Sequence, residues 1–403
     1  MNTTNQKTDH RTSDFLSLQA QTNPWPYLID VDRAEGIYIW DKSGKKYIDM
    51  IAGVAVNNIG HSHPKVIAAI KNQVDKHLHV MVYGEYIQDA QLDLARNLNS
   101  ILPANLNCSY IVNSGTEAVE AALKLAKRFT GRHQLVAVKG AYHGNTHGSM
   151  SVSFNETKKS AFRPLLPEVR FIELNNLQSL DLITDETAGV IIETIQGDAG
   201  LRIPTQEFLQ ALRDKCTATG TLLIFDEIQV GMGRTGTFFA FERFNIIPDV
   251  LVLGKALGGG MPIGACISSQ EKLHVLSNNP ILGHITTFGG HPVICAAANA
   301  CIDVLKSENW ISTCEEKGAF LEKLLLQHKE ILEIRRAGLF FAIEMQSAER
   351  VQKVVEKCLE KGLIGFWFLS CPNSFRLSPP ISITTQELTM AAELIIAAIE
   401  ETA

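Results

Sequence analysis

The chain has 403 residues, a formal net charge of −6, 45% hydrophobic residues and 20% charged residues. This composition indicates an ordinary globular protein of two or three domains, and its acidic balance argues against binding to nucleic acid or an anionic membrane. The N-terminus is polar and no apolar run approaches the roughly 20 residues of a membrane span, so neither a signal peptide nor a transmembrane helix is expected.

The eight cysteines are scattered along the chain without a C-x-x-C pair. This spacing argues against a zinc site or a disulfide scaffold and is typical of free thiols in a reducing compartment. We therefore expect a cytoplasmic protein without a structural metal.

The first 60 residues form a separate predicted unit. Residues 1–13 are polar and are predicted to be a disordered tail, whereas 14–60 are predicted to pack with the smaller of two domains. Within the latter segment, Asp14–Ala20 favours a short helix before two prolines, and Gly36–Met50 alternates like a β-hairpin about a glycine turn.

Residues 61–291 are predicted to form a large α/β domain, because short apolar runs alternate there with amphipathic helical stretches. The predicted strands cover 108–112, 135–138, 169–172, 189–193, 222–225 and 250–253. The predicted helices cover 64–79, 89–102, 116–127 and 205–219. Such alternation indicates a mostly parallel sheet covered on both faces.

Residues 292–403 have a different pattern, in which long amphipathic helices dominate. Helices are predicted at 293–306, 312–328, 348–361 and 386–400, and strand-like segments at 332–345, 363–366 and 375–377. This region is predicted to be a smaller α+β domain.

Two predicted strands of the large domain end on residues with reactive side chains. The run Leu222–Phe225 ends on Asp226, and the run Val250–Leu253 ends on Gly254 and Lys255. Ligands of open α/β sheets bind beside the carboxyl ends of the strands. A lysine that condenses with an aldehyde and a carboxylate that pairs with a pyridinium nitrogen are recurrent protein groups in pyridoxal phosphate (PLP) catalysis. Taken alone, a solvated lysine and a helix-capping aspartate are the commoner explanation.

The same stretch contains a competing motif. Gly231, Gly233 and Gly236 spell G-x-G-x-x-G, the dinucleotide-binding fingerprint. A bound pyrophosphate needs a tight turn between a strand and a helix. Here residues 226–230 separate the strand from the first glycine, and no clear amphipathic helix follows. We therefore interpret it as a glycine-rich loop.

A candidate phosphate site follows the predicted strand at 108–112. Ser114, Gly115 and Thr116 form a small polar turn before a strong helix. Helix N-terminal amides bind phosphate, glycine permits close approach and hydroxyl groups add donors. An ordinary N-cap is equally compatible with this pattern.

Seven motifs together resemble one family. They are NSGTEAVEAALKLAKR, AYHG, ETIQGDAG, LLIFDEIQVGMGRTG, LVLGKALGGGMPIG, TTFGGHP and FRLSPP. In this order they are similar to the class III PLP-dependent aminotransferases, which include ornithine, acetylornithine and 4-aminobutyrate aminotransferases. The resemblance implies the fold-type I architecture of PLP-dependent transferases, with residues 61–291 as the PLP-binding domain.

The resemblance implies a role for several residues at the cofactor. Lys255 matches the Schiff-base lysine that also moves the substrate proton, and Asp226 matches the acid on the pyridine nitrogen. Gln229 matches the residue that hydrogen-bonds the phenolic oxygen, and Tyr142 matches the aromatic that stacks on the ring. His143 belongs to the same motif as Tyr142.

Other matched residues are implied to bind phosphate or substrate. Ser114, Gly115 and Thr116 match the phosphate turn, and Thr287 matches a threonine that reaches the phosphate of the neighbouring subunit, which implies a homodimer with shared active sites. Arg376 matches the clamp for a substrate α-carboxylate. Glu193 and Asp198 occupy a motif in which the second acid can pair with that arginine and swing aside for a dicarboxylate; Asp198 is one methylene shorter than the usual glutamate.

The donor is left open by two departures from the family patterns. Val54 stands where ornithine aminotransferases typically have tyrosine, and Asn145 stands where the acetylornithine branch usually has an arginine for the α-carboxylate. Ornithine, acetylornithine, lysine, 4-aminobutyrate and other amines all remain candidates.

The sequence thus predicts a PLP-dependent aminotransferase with ping-pong kinetics that transfers an amino group to 2-oxoglutarate. A same-fold aminomutase is the nearest alternative, and a requirement for 2-oxoglutarate would discriminate against it. A nicotinamide-dependent dehydrogenase rests on the three loop glycines alone. A non-catalytic binding module would have no use for Lys255, Asp226 and a phosphate turn.

Overall fold

The computed structural model describes residues 3–81 and 84–403. Its helices are α1 Thr3–Leu18, α2 Ala52–Ala55, α3 Pro64–Lys76, α4 Asp89–Asn99, α5 Gly115–Thr130, α6 His147–Val152, α7 Glu156–Lys159, α8 Gln206–Thr219, α9 Gln270–Leu273, α10 Pro292–Ser307, α11 Trp310–Leu325, α12 Ala348–Glu360 and α13 Thr385–Glu401. Within the described ranges, no helix is long and apolar enough to cross a membrane.

The strands form three sheets. They are β1 Val31–Glu35, β2 Tyr38–Asp41, β3 Lys46–Asp49, β4 Cys108–Val112, β5 Gln134–Val138, β6 Val169–Ile172, β7 Thr187–Glu193, β8 Leu222–Asp226, β9 Val250–Gly254, β10 Gly264–Ser268, β11 Glu333–Ala337, β12 Phe340–Glu344, β13 Leu363–Ile364, β14 Phe366–Trp367 and β15 Ser374–Leu377.

The N-terminal helix is longer than the sequence predicts. Helix α1 begins at Thr3, so the structure has helix over most of the segment that was predicted to be a disordered tail, and it ends at Leu18 instead of Ala20. No glycine or proline occurs before Pro24 to interrupt it. Arg11 also donates two hydrogen bonds of 2.7 Å to the Asp30 carboxylate, which attaches the helix to the following segment.

The predicted hairpin at Gly36–Met50 is confirmed. Strands β2 and β3 pair antiparallel with Ile39 opposite Tyr47, and β1 extends the sheet beside β2. On the other edge β3 pairs in parallel with β13, from the C-terminal region of the chain. This pairing supports the proposal that residues 14–60 pack with the smaller domain.

The central sheet has seven strands in the order β4-β10-β9-β8-β7-β5-β6. Strands β6, β5, β7, β8 and β9 run parallel, as predicted, but β10 is antiparallel to both β4 and β9. The sequence did not indicate β10, because it opens on Gly264 directly after a glycine-rich loop. Every residue of β5, β7, β8 and β9 is buried, as expected for strands between two helical layers.

Helices cover the two faces of this sheet. Helix α5 packs along β9 and β10, while α10 packs against α3 and α4. The predicted helices beginning at Pro64 and Asp89 are confirmed but end earlier, at Lys76 and Asn99. Helix α3 stops because His77 is extended, with φ −171° and ψ 154°.

The C-terminal region is α+β, as predicted. Strands β11, β12, β15 and β14 form an antiparallel sheet in that order, and α12 and α13 pack together beside it. Helix α11 begins at Trp310, two residues before the predicted start. The division of the chain at residues 61 and 291 stays a prediction.

The parallel strands bring several polar residues to one edge of the central sheet. Strands β7 and β8 are in register with Glu193 opposite Asp226, and Asp226 lies opposite Val252 of β9. The next residues of β9 are Leu253 and Gly254, followed by Lys255. The carboxyl ends of these neighbouring strands therefore carry Glu193, Asp226 and Lys255 side by side.

Candidate active site

A cavity of about 260 Å³ lies at this edge of the sheet. Its walls come from the turn after β4, the loop after β5 and the ends of β7, β8 and β9. The lining residues are Gly115, Thr116, Tyr142, His143, Gly144, Asn145, Glu193, Ile195, Asp226, Ile228, Gln229, Val230 and Lys255. The carboxyl edge of the sheet therefore holds most of the residues that the sequence singled out.

Asp226 is held by two hydrogen bonds. Its Oδ2 lies 2.7 Å from His143 Nδ1, and its Oδ1 accepts a hydrogen bond of 3.0 Å from the Ile228 N–H. Both Asp226 and His143 are buried. His143 is in turn positioned by Ser153, whose Oγ accepts a 2.9 Å hydrogen bond from the His143 N–H. The carboxylate is therefore fixed in direction at the floor of the cavity.

Lys255 directly follows β9 in an unusual backbone conformation. Its φ is 43°, a left-handed value that lysine seldom adopts, and it begins a 3₁₀ turn that extends to Gly258. Burial lowers the pKa of the Lys255 ammonium below its ordinary value of 10.5, and the charge of Asp226 opposes this shift only in part. A larger fraction of neutral amine is therefore present here than at an exposed lysine.

Glu193 is buried beside these groups, with both carboxylate oxygens engaged. Oε1 accepts a 2.6 Å hydrogen bond from the Tyr142 N–H, and Oε2 accepts one of 2.6 Å from the Gly197 N–H. Burial raises the pKa of Glu193 to about 7. These bonds join the loop that carries Tyr142 to the loop that begins at Gly197, so Glu193 fixes backbone positions on two sides of the cavity.

The turn after β4 closes one end of the cavity. Ser114 caps helix α5, because its Oγ accepts a 3.3 Å hydrogen bond from the Glu117 N–H. A Cβ atom at Gly115 would lie 2.8 Å from Ile228 Cδ1, and one at Gly144 would lie 2.4 Å from Thr116 Oγ1. The close approach of these chain segments thus depends on glycine.

Two buried nitrogen atoms at the cavity have no hydrogen-bond partner among the described residues. They are Gln229 Nε2 and His143 Nε2. A Cβ at Gly197 would lie 2.3 Å from Gln229 Oε1, so the Gln229 amide is tightly confined. The Gln229 amide nitrogen can only donate, and a buried donor without a partner is rare in folded proteins and often marks a ligand position.

Arg376 and Asp198 form a neighbouring ion pair. Both are buried, and Arg376 Nη2 lies 3.8 Å from Asp198 Oδ1. Although Asp198 is one methylene shorter than the usual glutamate, it is close enough to Arg376 to form an ion pair. The distance is too long for a hydrogen bond. Burial lowers the pKa of Arg376 to about 10.

Thr287 lies outside the cavity wall and is exposed in the single chain. Thr286 next to it accepts a 2.8 Å hydrogen bond from Asn113 Nδ2, at the end of β4. Val54 is half-buried in α2, whose backbone has left-handed φ values of 62° at Gly53 and 63° at Val54. Nothing in the sequence indicated this local geometry.

Comparison with known proteins decides the family. The family described as Aminotransferase class-III matches residues 19–399. The chain belongs to the class III aminotransferases. This aminotransferase is 40% identical over 363 residues to the acetylornithine aminotransferase of Methanopyrus kandleri, covering 89% of this chain and 92% of that protein. It is 38% identical over 367 residues to the acetylornithine aminotransferase of Archaeoglobus fulgidus, covering 91% and 94%.

Solved structures are similar over nearly the whole aminotransferase chain. The crystal structure of the ornithine aminotransferase from Toxoplasma gondii ME49 matches with a TM-score of 0.89 and 30% identity, covering 98% of this chain and 94% of that one. A transaminase from the marine bacterium Virgibacillus matches with a TM-score of 0.91 and 25% identity, covering 98% and 99%. The predicted fold-type I architecture is therefore confirmed.

This aminotransferase is a PLP-dependent enzyme, and its cavity fits that cofactor. A glycine-dependent turn at a helix N-terminus suits a phosphate, and the unpartnered Gln229 amide suits an oxygen of a ring. The buried Asp226 carboxylate suits a protonated pyridine nitrogen, and Lys255 suits an aldehyde. The residues present thus offer one partner to each polar group of PLP.

The G-x-G-x-x-G stretch does not form a dinucleotide site in this aminotransferase. Residues 229–236 form turns, and a 3₁₀ turn at Ala240–Phe244 follows where a dinucleotide site needs a helix N-terminus. The loop carries Arg234 instead, which is fully buried. The dehydrogenase alternative is therefore wrong.

Two residues near the site were missed by sequence reasoning. Gly264 lies against the phosphate turn, where a Cβ atom would be 2.0 Å from the Ser114 carbonyl oxygen. Lys158 Nζ lies 3.6 Å from Asp198 Oδ2, although 40 residues separate them in sequence. Gly264 stood within the quoted motif LVLGKALGGGMPIG, but no periodicity indicated its contact.

Proposed function

We propose that this enzyme transfers the terminal amino group of an ornithine- or acetylornithine-like donor to 2-oxoglutarate. The two archaeal relatives are named acetylornithine aminotransferases, and the Toxoplasma gondii structure is of an ornithine aminotransferase. The observation that carries the proposal is the placement of Lys255 and Asp226 at the ends of adjacent parallel strands in one cavity.

When bound, PLP supplies an aldehyde that condenses with amines and a ring that withdraws electrons from the reacting carbon. We propose that Lys255 is the amine that would hold the aldehyde carbon of the cofactor and that its free amine would move the proton of the substrate. The lowered pKa of Lys255 supports both roles, because the neutral amine is the form that acts as nucleophile and base.

Four further residues are proposed to hold the ring. The Asp226 carboxylate would accept a hydrogen bond from the protonated ring nitrogen, and His143 orients that carboxylate through its 2.7 Å hydrogen bond. Gln229 donates its unpartnered amide to the phenolic oxygen. Tyr142 lies on the cavity wall with its backbone held by Glu193, a suitable position for stacking on the ring.

The phosphate is proposed to bind at the N-terminus of α5. Ser114, Gly115 and Thr116 present backbone N–H groups and hydroxyls there, and the positive end of the helix dipole favours an anion. Thr116 Oγ1 lies 2.6 Å from Ser149 Oγ and 2.9 Å from Thr146 Oγ1, so its hydroxyl is held by its neighbours.

We also propose a homodimer in which Thr287 of each subunit reaches the phosphate of the other. Thr287 is exposed in the single chain, and the same segment exposes large apolar side chains: Ile281 77%, Leu282 57%, Ile285 53% and Phe288 55%. An apolar patch of this kind is typical of a protein interface. A cytoplasmic location is proposed as well, because all eight cysteines are free thiols.

At the substrate side, Arg376 is proposed to hold the carboxylate next to the reacting carbon. A guanidinium can bind a carboxylate with two parallel hydrogen bonds, and Arg376 Nε is buried without a partner among the described residues. Glu193 was expected to contact substrate, but both its oxygens accept backbone N–H groups. We therefore propose that Glu193 positions Tyr142 and the Gly197–Asp198 turn.

Steady-state assays with 2-oxoglutarate and four donors test the proposal. N-acetylornithine, ornithine, lysine and 4-aminobutyrate are each titrated against 2-oxoglutarate while glutamate is measured. We expect one of the first two to give the highest kcat/KM, with the parallel double-reciprocal lines of ping-pong kinetics. A highest value with lysine or 4-aminobutyrate would contradict the donor class. Isomerisation of an amine without 2-oxoglutarate would indicate an aminomutase instead.

A further inference from the structure

We infer that Lys158 is a second carboxylate-binding cation of the substrate site and that, together with Arg376, it selects 2-oxo acids carrying two carboxylates as amino acceptors. The inference rests on the proposed aminotransferase function and deepens it, because it assigns acceptor specificity to a residue outside every motif of the sequence. Lys158 lies in α7, whereas Arg376 lies in β15.

One carboxylate lies between the two cations. Asp198 Oδ2 is 3.6 Å from Lys158 Nζ, and Asp198 Oδ1 is 3.8 Å from Arg376 Nη2. The hydrogen bonds of Asp198 go elsewhere, since Oδ2 accepts one of 2.8 Å from Ser370 Oγ and Oδ1 accepts one of 3.3 Å from the Leu369 N–H. Asp198 is thus anchored to the loop at 369–370 and only approaches both cations.

Both cations retain unused hydrogen-bond donors. Lys158 Nζ and Arg376 Nε are buried atoms without a hydrogen-bond partner among the described residues, and Arg376 as a whole is only 6% exposed. Buried donors, charged ones above all, are unfavourable unless a partner satisfies them. Lys158 Nζ and Arg376 Nε therefore each lack a hydrogen-bond acceptor, which a substrate carboxylate can provide.

The two cations also lie beside the reaction cavity. Lys158 Nζ is 5.8 Å from the centre of the Tyr142 ring, which forms part of the cavity wall. Asn145, on the same wall, is neutral. Lys158 thus places a positive charge beside the part of the cavity wall that Tyr142 forms.

The charge balance favours a dicarboxylate. Asp198 neutralises one of the two cations, so a ligand carboxylate is needed for the other, and displacement of Asp198 makes room for a second. The planar guanidinium of Arg376 suits the carboxylate beside the reacting carbon, whereas the flexible ammonium of Lys158 suits a carboxylate further along the chain. A monocarboxylate would leave either the buried guanidinium of Arg376 or the ammonium of the half-buried Lys158 without a carboxylate partner.

Substitution of Lys158 tests this inference through binding and through turnover. We would compare Lys158→Met, which keeps the length of the side chain without the charge, with Lys158→Arg, which keeps the charge. Lys353→Met removes an exposed lysine of α12 and serves as the matched control. Calorimetry on the holoenzyme measures the affinity for glutarate and pentanoate, and assays measure kcat/KM for 2-oxoglutarate and 2-oxopentanoate.

We expect Lys158→Met to weaken glutarate binding about tenfold or more relative to pentanoate, as for loss of one charge-assisted hydrogen bond, and to lower the ratio of kcat/KM for the two oxo acids similarly. Lys158→Arg should retain most of both ratios. Unchanged ratios in Lys158→Met would overturn the inference, even if both affinities or both rates fell together, because Lys158 would then only support Asp198. If the wild-type enzyme transfers amino groups to neither oxo acid, the proposed function fails, while the glutarate-to-pentanoate ratio still reports on Lys158.

Discussion

His143 Nδ1 lies 2.7 Å from Asp226 Oδ2, and both side chains are buried at the carboxyl end of β8. An ionised carboxylate can only accept hydrogen bonds, so His143 must donate from Nδ1, which fixes its tautomer. Because the Ile228 N–H occupies the other oxygen, both oxygens of Asp226 are oriented. The negative charge is therefore held in a fixed place where a protonated ring nitrogen can pair with it.

The substitution Asp226→Asn should lower kcat about 100-fold or more while PLP remains bound. The amide has the same shape but lacks the charge that keeps the ring nitrogen protonated, and loss of one preorganised electrostatic contact costs about 10²–10³ in rate. The rate at which the donor decreases the visible absorbance of the cofactor in a single turnover measures the effect of this substitution.

The matched substitution for the orienting residue is His143→Asn. Since His143 acts only through Asp226, we expect a smaller loss, about tenfold. If His143→Asn is as severe as Asp226→Asn, or if Asp226→Asn retains near wild-type turnover, the assignment of the charge to Asp226 is wrong.

The substitution Lys255→Ala should abolish transamination while leaving the protein folded and the proposed dimer assembled. The side chain lies at the cavity, and no hydrogen bond joins it to another residue in the part of the chain that the structure describes. Its loss should therefore remove the nucleophile and the proton carrier without disturbing the sheet. We expect kcat to fall about 10³-fold or more, measured as glutamate formation, with sedimentation as the test of assembly. Substantial residual turnover would count against this role for Lys255.

The lowered pKa of Lys255 predicts how cofactor loading depends on pH. Only the neutral amine attacks an aldehyde, so the rate of PLP attachment to the apoenzyme should rise with pH until the amine is deprotonated and then level off. Because burial lowers the pKa of Lys255 from 10.5, the rate should level off below that pH. Stopped-flow absorbance of apoenzyme mixed with PLP measures it. A rate that keeps rising beyond pH 10.5 would contradict the lowered pKa.

The strand ends of the site could be predicted because each is a local pattern. Leu222–Phe225 and Val250–Leu253 are continuous apolar runs, and both are fully buried strands in the structure. A polar residue that ends such a run must lie at the sheet edge. Asp226 and Lys255 were therefore predictable as neighbours once the sheet was taken to be parallel.

Contacts made across the fold could not be predicted in this way. The approach of Lys158 to Asp198 depends on how α7 lies against the loop after β7. No periodic pattern in the sequence indicates this contact. The antiparallel β10 was missed because strand propensity is weak in a segment that opens on Gly264. The N-terminal part of helix α1, before Asp14, was not predicted because its residues carry no apolar period to signal a buried face.

Arg234, which lies outside the cavity, is expected to contribute to the stability of the fold. It is fully buried and donates hydrogen bonds to the Leu339 carbonyl at 3.2 Å, to the Pro379 carbonyl and to Asn58 Oδ1. These partners belong to the C-terminal region and the N-terminal segment, so one side chain joins three parts of the chain.

Replacement by methionine keeps the length of Arg234 but leaves three buried acceptors without a donor, at about 1–3 kcal/mol each. We expect Arg234→Met to lower the thermal midpoint by several degrees, measured by differential scanning calorimetry on the holoenzyme. Arg243→Met changes an arginine of the same loop region that is about one-third exposed and provides the comparison. Equal midpoints for Arg234→Met and the wild type would refute the joining role.

The position of Gly264 leads us to expect that cofactor binding depends on the packing of β10 against the phosphate turn. Strand β10 passes so close to the phosphate turn that a Cβ atom at Gly264 would lie 2.0 Å from the Ser114 carbonyl oxygen and 2.6 Å from its carbon. Neither atom is the end of a flexible side chain, so Gly264→Ala must push the start of α5 away from β10. The N–H groups proposed to hold the phosphate would move with it. We therefore expect PLP to dissociate at least about tenfold faster from Gly264→Ala, measured by the loss of cofactor absorbance on dilution.

The control is Gly365→Ala, because a Cβ at Gly365 would meet only side-chain carbons at 3.9 Å and 4.0 Å, which is ordinary contact. That variant should keep wild-type retention of PLP. The comparison separates two explanations of any loss, since a general effect of replacing a glycine by alanine would weaken both variants. Retention of PLP by Gly264→Ala at the wild-type rate would mean that α5 can shift without cost to the phosphate site, and the proposed use of its N-terminus would then be wrong.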